Sequence, residues 1–83
     1  MLFSVKFMKI NIIIFGQLRD VLGEKLELDY AGDTAGLKAV LHEKYPAMRE
    51  ANYMVAVNKI IITENIRLSE NCIVAILSPF SGG

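Results

Sequence analysis

The sequence predicts an α+β fold: a mixed sheet of about five strands, one main helix packed across it, and a short helix after the first strand. Three observations carry this prediction. Short runs rich in β-branched residues alternate with turn signals along the chain, and one longer stretch near residues 34–45 has helical apolar spacing. The first and last strand-like runs are apolar on both faces, and such strands belong inside a sheet rather than at its edge.

Lys9 to Phe15 (KINIIIF) reads as the first strand, because β-branched residues pack well on a pleated surface. Ile10, Ile12 and Ile14 share one face, while Ile13 and Phe15 add apolar character to the other. Gly16 breaks the run. Leu18, Val21 and Leu22 then recur at helical spacing, and Gly23 stands where a left-handed cap would end a short helix over Gln17 to Leu22. Lys25 to Tyr30 (KLELDY) alternates, with Leu26, Leu28 and Tyr30 on one side, as in a half-solvated strand. It would return beside the first strand as an elaborated hairpin.

Ala31-Gly32-Asp33 reads as a loop, and Asp33 or Thr34 supplies an oxygen for the free amides that open the next helix. That helix runs from about Thr34 to Tyr45, burying Leu37, Val40, Leu41 and Tyr45. Gly36 in its first turn costs up to about 1 kcal/mol relative to alanine, so packing has to stabilise it. Pro46 prevents a smooth continuation. Tyr53 to Val57 and Ile60 to Thr63 read as two strands with Asn58-Lys59 as a two-residue hairpin turn. Thr63 to Asn71 is polar and irregular, with Ile66 and Leu68 tucked back into the core. Cys72 to Leu77 (CIVAIL) is the last strand and apolar throughout.

The order β, β, α, β, β, β suits a β-grasp sheet, with the first and last strands parallel neighbours at its centre. Residues 8–77 then form the β-grasp domain, 1–7 an N-terminal extension (or Met8 an alternative start), and 78–83 a flexible C-terminal tail ending Gly-Gly. A chain of 83 residues forms one small domain and buries only about 60% of its unfolded surface. With 53% hydrophobic residues, part of the apolar surface is expected on the outside, where it marks a partner interface.

Nine basic and nine acidic residues leave no net field to attract nucleic acid or an anionic membrane. The longest apolar run, Cys72 to Leu77, is far short of the roughly 20 residues that span a bilayer, and the first residues lack the pattern of a signal peptide. The lone Cys72 fits a reducing compartment. A cytoplasmic protein is the simplest expectation.

No catalytic constellation assembles from these residue types. His42 lacks an acidic partner to orient it and reads as part of a solvated helix face. Cys72, opening an apolar strand, reads as a buried inert thiol. One Cys and one His make no metal set of the usual spacing, so metal ligands are expected to be none. Asp20, Glu24 and Glu27 read as solvated charges. Gly16, Gly23 and Gly32 are isolated turn glycines, not a phosphate loop. The chain reads as a carrier or binding protein with no active site of its own.

The ending Ser78-Pro79-Phe80-Ser81-Gly82-Gly83 is the exception. Pro79 cannot donate to a sheet ladder and ends strand pairing. Phe80 then serves either as an aromatic anchor in a partner pocket or as a cap folded over the core. Ser81, Gly82 and Gly83 carry no bulky side chain, so this thin arm can enter a narrow channel and present a terminal carboxylate.

The segment KINIIIFGQLRDVLG (Lys9 to Gly23), the VAVN run (Val55 to Asn58) and the ending AILSPFSGG together resemble the small, sulfur-carrying subunit of molybdopterin synthase, a family with the ubiquitin-like β-grasp fold. The resemblance covers roughly residues 8–83. It departs from the family pattern at Ser69-Glu70-Asn71, where an Asp-Gly-Asp-like turn is common, and at Ser78-Pro79, where two prolines are common. The resemblance implies that Gly83 is the working residue, with Pro79, Phe80, Ser81 and Gly82 as the partner-binding tail. A partner adenylyltransferase resembling ubiquitin-activating enzymes would use ATP on the Gly83 carboxylate, and a sulfur donor protein would convert the adenylate to a thiocarboxylate. The tail would then enter the large synthase subunit, in a heterotetramer, and give its sulfur to cyclic pyranopterin monophosphate. No cofactor would be stably bound by this chain, and the catalytic side chains would belong to its partners. Rival readings are the thiamine-thiazole sulfur carrier, a ubiquitin-like modifier conjugated through Gly83, and an interaction domain whose glycines merely fray. The outer faces of the first and last strands are the expected partner surface.

Overall fold

The computed structural model describes residues 7–78. Its elements are strand β1 (Met8–Ile14), a 3-10 turn at Gly16–Leu18 running into helix α1 (Arg19–Leu22), β2 (Lys25–Tyr30), helix α2 (Thr34–Lys44), a 3-10 segment at Pro46–Glu50, β3 (Met54–Val57), β4 (Ile60–Ile62) and β5 (Ile73–Leu77). The five strands form one sheet in the order β2-β1-β5-β3-β4. The two doubly apolar strands are its centre and run parallel, with Ile12 opposite Val74 and Ile14 opposite Ile76. This is the β-grasp arrangement the sequence predicts.

Register follows from alternation, because a one-residue slip would exchange every side chain between faces. Ile10, Ile12, Ile14, Val55, Val74 and Ile76 point inward and are buried. They pack with Leu37 and Leu41 of α2 and with Leu18 and Leu22, which bracket the short helical connection. Leu68 and Met48 close the ends of this core, and Ile66 packs partly against it. Asn58 and Lys59 both take positive φ, 49° and 73°, as a two-residue turn matched to the strand twist demands. The chain leaves the expected pattern at several points, and Val40 is one: it is half-buried and stands outside the core cluster. Val21 is 43% exposed instead of buried, since a single-turn helix presents only one edge to the sheet. Gly23 has positive φ but an extended ψ of −176°, so it turns the chain straight into β2 without forming a left-handed cap. Helix α2 ends at Lys44, with Tyr45 as its half-buried C-cap. Pro46 then opens a 3-10 segment, a position where its missing N–H costs nothing.

Helix α2 is anchored at its N-terminus by a polar clip that spans thirty residues of chain. Asp33 accepts from the Gly36 amide at 2.9 Å as the N-cap. Asn65 accepts from the Ala35 amide at 2.8 Å and from the Thr34 hydroxyl at 3.0 Å, and donates to Asp33 at 2.9 Å. These donors favour the ionised carboxylate: the Asn65 amide first, then the Gly36 N–H, hold the Asp33 pKa below its ordinary 3.8. A carboxylate whose folded pKa is lowered contributes stability above its unfolded pKa and loses it as the pH falls through the folded value. Asp33→Ala is therefore expected to lower the midpoint of thermal unfolding at pH 7. The gap from wild type should close as melts are repeated below pH 3.8; a gap that stays constant through that range would rule the linkage out.

Gly36 is explained by the same corner. Tyr30 donates its hydroxyl to the Asp33 carbonyl at 2.8 Å, and a Cβ on Gly36 would collide with that hydroxyl. Alanine should gain up to about 1 kcal/mol in helix propensity, yet forcing a methyl into this contact costs about 1–3 kcal/mol. Gly36→Ala is thus expected to destabilise the domain in urea unfolding, and adding Tyr30→Phe should recover part of the loss. A more stable Gly36→Ala variant would contradict the packing described.

Candidate functional site

The predicted tail residues Pro79, Phe80, Ser81, Gly82 and Gly83 lie outside the described residues, as do residues 1–6. What the structure does define is the platform from which the tail departs. Strand β5 has β1 on one side and β3 on the other, so its backbone is fixed by ladders on both edges up to Ile76, which pairs with Ile14, and on the β3 edge as far as Leu77, which pairs with Met54. A central strand has the least freedom to fray. Ser78, the last described residue, is half-buried and lies against the turn that follows β1. That turn is tied to β5 by the Phe15 amide donating to the Ile76 carbonyl at 2.9 Å. Arg19 reaches back to the Gly16 carbonyl at 3.3 Å.

The second feature is the sheet face turned away from α2. The pairings place Lys25, Ile13, Ala75, Ala56 and Ile61 in one row across all five strands. Along β5 the same face carries Ile73 and Leu77, and along β3 it carries Met54. Ile73, Met54 and Ile61 are exposed. Ala56 is buried although it faces outward, because its small side chain forms a floor below larger neighbours. The result is an apolar surface with a shallow centre, bordered by Lys25, Glu27 and Asp29 of β2 and by Lys9 and Asn11 of β1. The sequence points to the β1 and β5 parts of this face; Met54 and Ile61 were missed, because their membership depends on the β3–β4 register. A contiguous face of this kind on a small domain marks an interaction site.

The remaining chemistry-bearing side chains do not gather. His42 departs from expectation: it is half-buried, and its Nε2 shares a 2.6 Å hydrogen bond with the Tyr53 hydroxyl. The two rings meet edge to face at 5.9 Å, an arrangement that pins α2 to the segment entering β3. Burial pushes the Tyr53 phenol above its ordinary pKa. No sequence spacing announces this contact, which joins a helix face to a loop. Cys72 is buried, as expected. Among the described residues no three His, Cys, Asp or Glu side chains cluster, and no helix is long and apolar enough to cross a membrane.

Comparison with solved structures places this architecture among known domains. A chain of the complex of subunits 1 and 2 of Molybdopterin-converting factor from Helicobacter pylori 26695 superposes with a TM-score of 0.71 at 24% identity, covering 92% of this chain and 100% of that one. The Haloferax volcanii HVO 2177 protein gives 0.75 at 16% identity, covering 96% and 91%. Small archaeal modifier protein 1 from Methanosarcina acetivorans gives 0.69 at 21% identity, covering 93% and 98%. These likenesses establish the ubiquitin-like β-grasp fold. The family itself is given by the sequence: the ThiS family model matches residues 12–83, from the centre of β1 through both terminal glycines, and the chain belongs to the ThiS family.

Proposed function

We propose that this protein is the sulfur-carrier subunit of a molybdopterin synthase, and that the terminal carboxylate of Gly83 is the group it carries sulfur on. The observation that carries this reading is that the ThiS family match runs through Gly82 and Gly83, directly beyond a central strand that holds the tail root rigidly. The likeness to a chain from a two-subunit Molybdopterin-converting factor complex supports the synthase over other carriers. So does the Arg19-bearing helix after β1, which the resemblance to that family includes.

The chemistry accounts for the absence of a gathered active site among the described residues. A carboxylate is a poor electrophile. A partner adenylyltransferase joins it to the α-phosphate of ATP, releasing pyrophosphate, and sulfur delivered at the sulfide level by a donor protein then displaces AMP from the carbonyl to leave a thiocarboxylate. Delivery of that sulfur to cyclic pyranopterin monophosphate in the large subunit returns Gly83 to a carboxylate, with water supplying the oxygen. Each loaded tail brings one sulfur and a dithiolene needs two, which suits a heterotetramer with repeated loading. Pro79, Phe80, Ser81 and Gly82 form the arm that enters the partner, and ATP is used by the activating enzyme instead of being held by this chain. The apolar outer face of β1, β5 and β3 docks the large subunit. The balanced charge and single buried thiol support a cytoplasmic setting.

A second reading, conjugation to target lysines, is supported by the likeness to a small archaeal modifier protein, and it shares the adenylate step. Reconstitution separates the two. The chain is incubated with its activating enzyme, ATP, a sulfur donor, the large subunit and the pterin precursor, and products are assayed. Molybdopterin formation is expected; lysine conjugates without it would favour the modifier, and thiazole formation with thiamine-pathway partners would favour the thiamine carrier.

A further inference from the structure

The turn after β1 does more than connect two strands. Gly16 has φ +82°, a region that side chains rarely adopt, and a Cβ built there would stand 2.7 Å from the Ser78 Cβ, 3.5 Å from its Oγ and 3.8 Å from its amide nitrogen. Two bonded-carbon centres cannot share that distance, so one of the two segments would have to move. The turn is the less able to do so. Residue 15 is hydrogen-bonded to β5 through Ile76, residue 14 donates to the Glu24 carbonyl at 2.9 Å, and Arg19 holds the Gly16 carbonyl. Ser78, by contrast, has β5 on one side only.

We propose that Gly16 is a positioning residue for the root of the tail: its bare Cα lets the chain pass close over the β1–α1 turn at Ser78, and so fixes the point from which residues 79–83 continue. A side chain at position 16 pushes Ser78 outward and misdirects the terminal carboxylate without dismantling the core. This rests on the carrier reading above, since misdirection matters only if a partner's active site must receive Gly83. Displacements of about 1 Å remote from the reacting atoms cost up to a hundredfold in rate.

The test is a cycle of Gly16→Ala, Ser78→Gly and the double variant, because Ser78→Gly removes the atom with which the new methyl collides. Pyrophosphate exchange is measured with the activating enzyme at a temperature where circular dichroism shows every variant folded. Gly16→Ala should lower kcat about tenfold or more with a smaller change in KM, Ser78→Gly alone should stay within about threefold, and the double variant should recover most of the loss. In parallel, amide resonances of residues 80–83 should shift in Gly16→Ala and return toward wild type in the double variant. Equal kcat for Gly16→Ala and wild type, or a double variant no better than Gly16→Ala, overturns the proposal. An effect confined to the melting temperature shows Gly16 to be structural only and overturns it as well. If wild type itself supports no exchange, the carrier reading fails, and the resonance cycle still decides whether Gly16 sets the path at Ser78.

Discussion

Deletion of Gly83 is expected to reduce molybdopterin formation to background while leaving the melting temperature unchanged. Gly83 follows the last ladder pair, Met54 with Leu77, by six residues in sequence, and a glycine has no side chain to withdraw from a core, so an effect on stability within about 0.5 kcal/mol is expected. The functional loss is expected to be complete, because on the proposed function the deleted residue is the attachment point. A new terminal carboxylate on Gly82 can still be present, but it stops one residue short, about 3.5 Å of reach in an extended chain. That deficit exceeds the sub-ångström placement an acyl transfer tolerates. The pair of measurements separates two explanations: loss of product together with a lowered melting temperature would mean that the deletion had damaged the fold.

The second large effect is expected on the outer sheet face. Ile73→Glu should weaken binding of the large subunit by a factor of about 30 or more, read by titration calorimetry, because a charge would be desolvated within the docked face, where Ile73 opens β5 next to Asn11, at a cost of about 2 kcal/mol or more. Ile73 is already 46% exposed, so the fold loses little apolar burial, and the strand-propensity penalty is at most about 1 kcal/mol. Lys38→Glu, on helix α2 across the sheet, is the matched control and should leave binding within about twofold. Equal weakening by the two variants would mean that the partner does not use this face.

How far the sequence could be read depended on the range of the interaction involved. The strands were legible because burial repeats every second residue: Ile10, Ile12 and Ile14 announce the inner face of β1, and Cys72 to Leu77 announce a strand with neighbours on both sides. Asp33 as a helix cap and Asn58-Lys59 as a turn were legible for the same local reason. What stayed hidden were contacts between segments distant in the chain. Asn65 looks like an ordinary loop residue, yet it satisfies the Ala35 amide and orients Asp33. Gly36 looks like a weak point in a helix until Tyr30 is brought over it. His42 looks solvated until Tyr53 meets it. At the site, the diglycine ending was plain from composition, whereas the packing of Gly16 against Ser78 and the inclusion of Met54 and Ile61 in the outer face needed the register of the sheet.

Sulfur carriage on Gly83 is the chemistry from which the other expectations follow. It is tested most directly by the intact mass of the protein isolated from cells that contain its own activating enzyme, followed by fragmentation of the C-terminal peptide. A population in which one oxygen is replaced by sulfur is expected, with the change confined to Gly83 and lost on incubation with the large subunit and pterin precursor. A carboxylate at Gly83 in every molecule, accompanied by isopeptide-linked conjugates on target lysines, would contradict it.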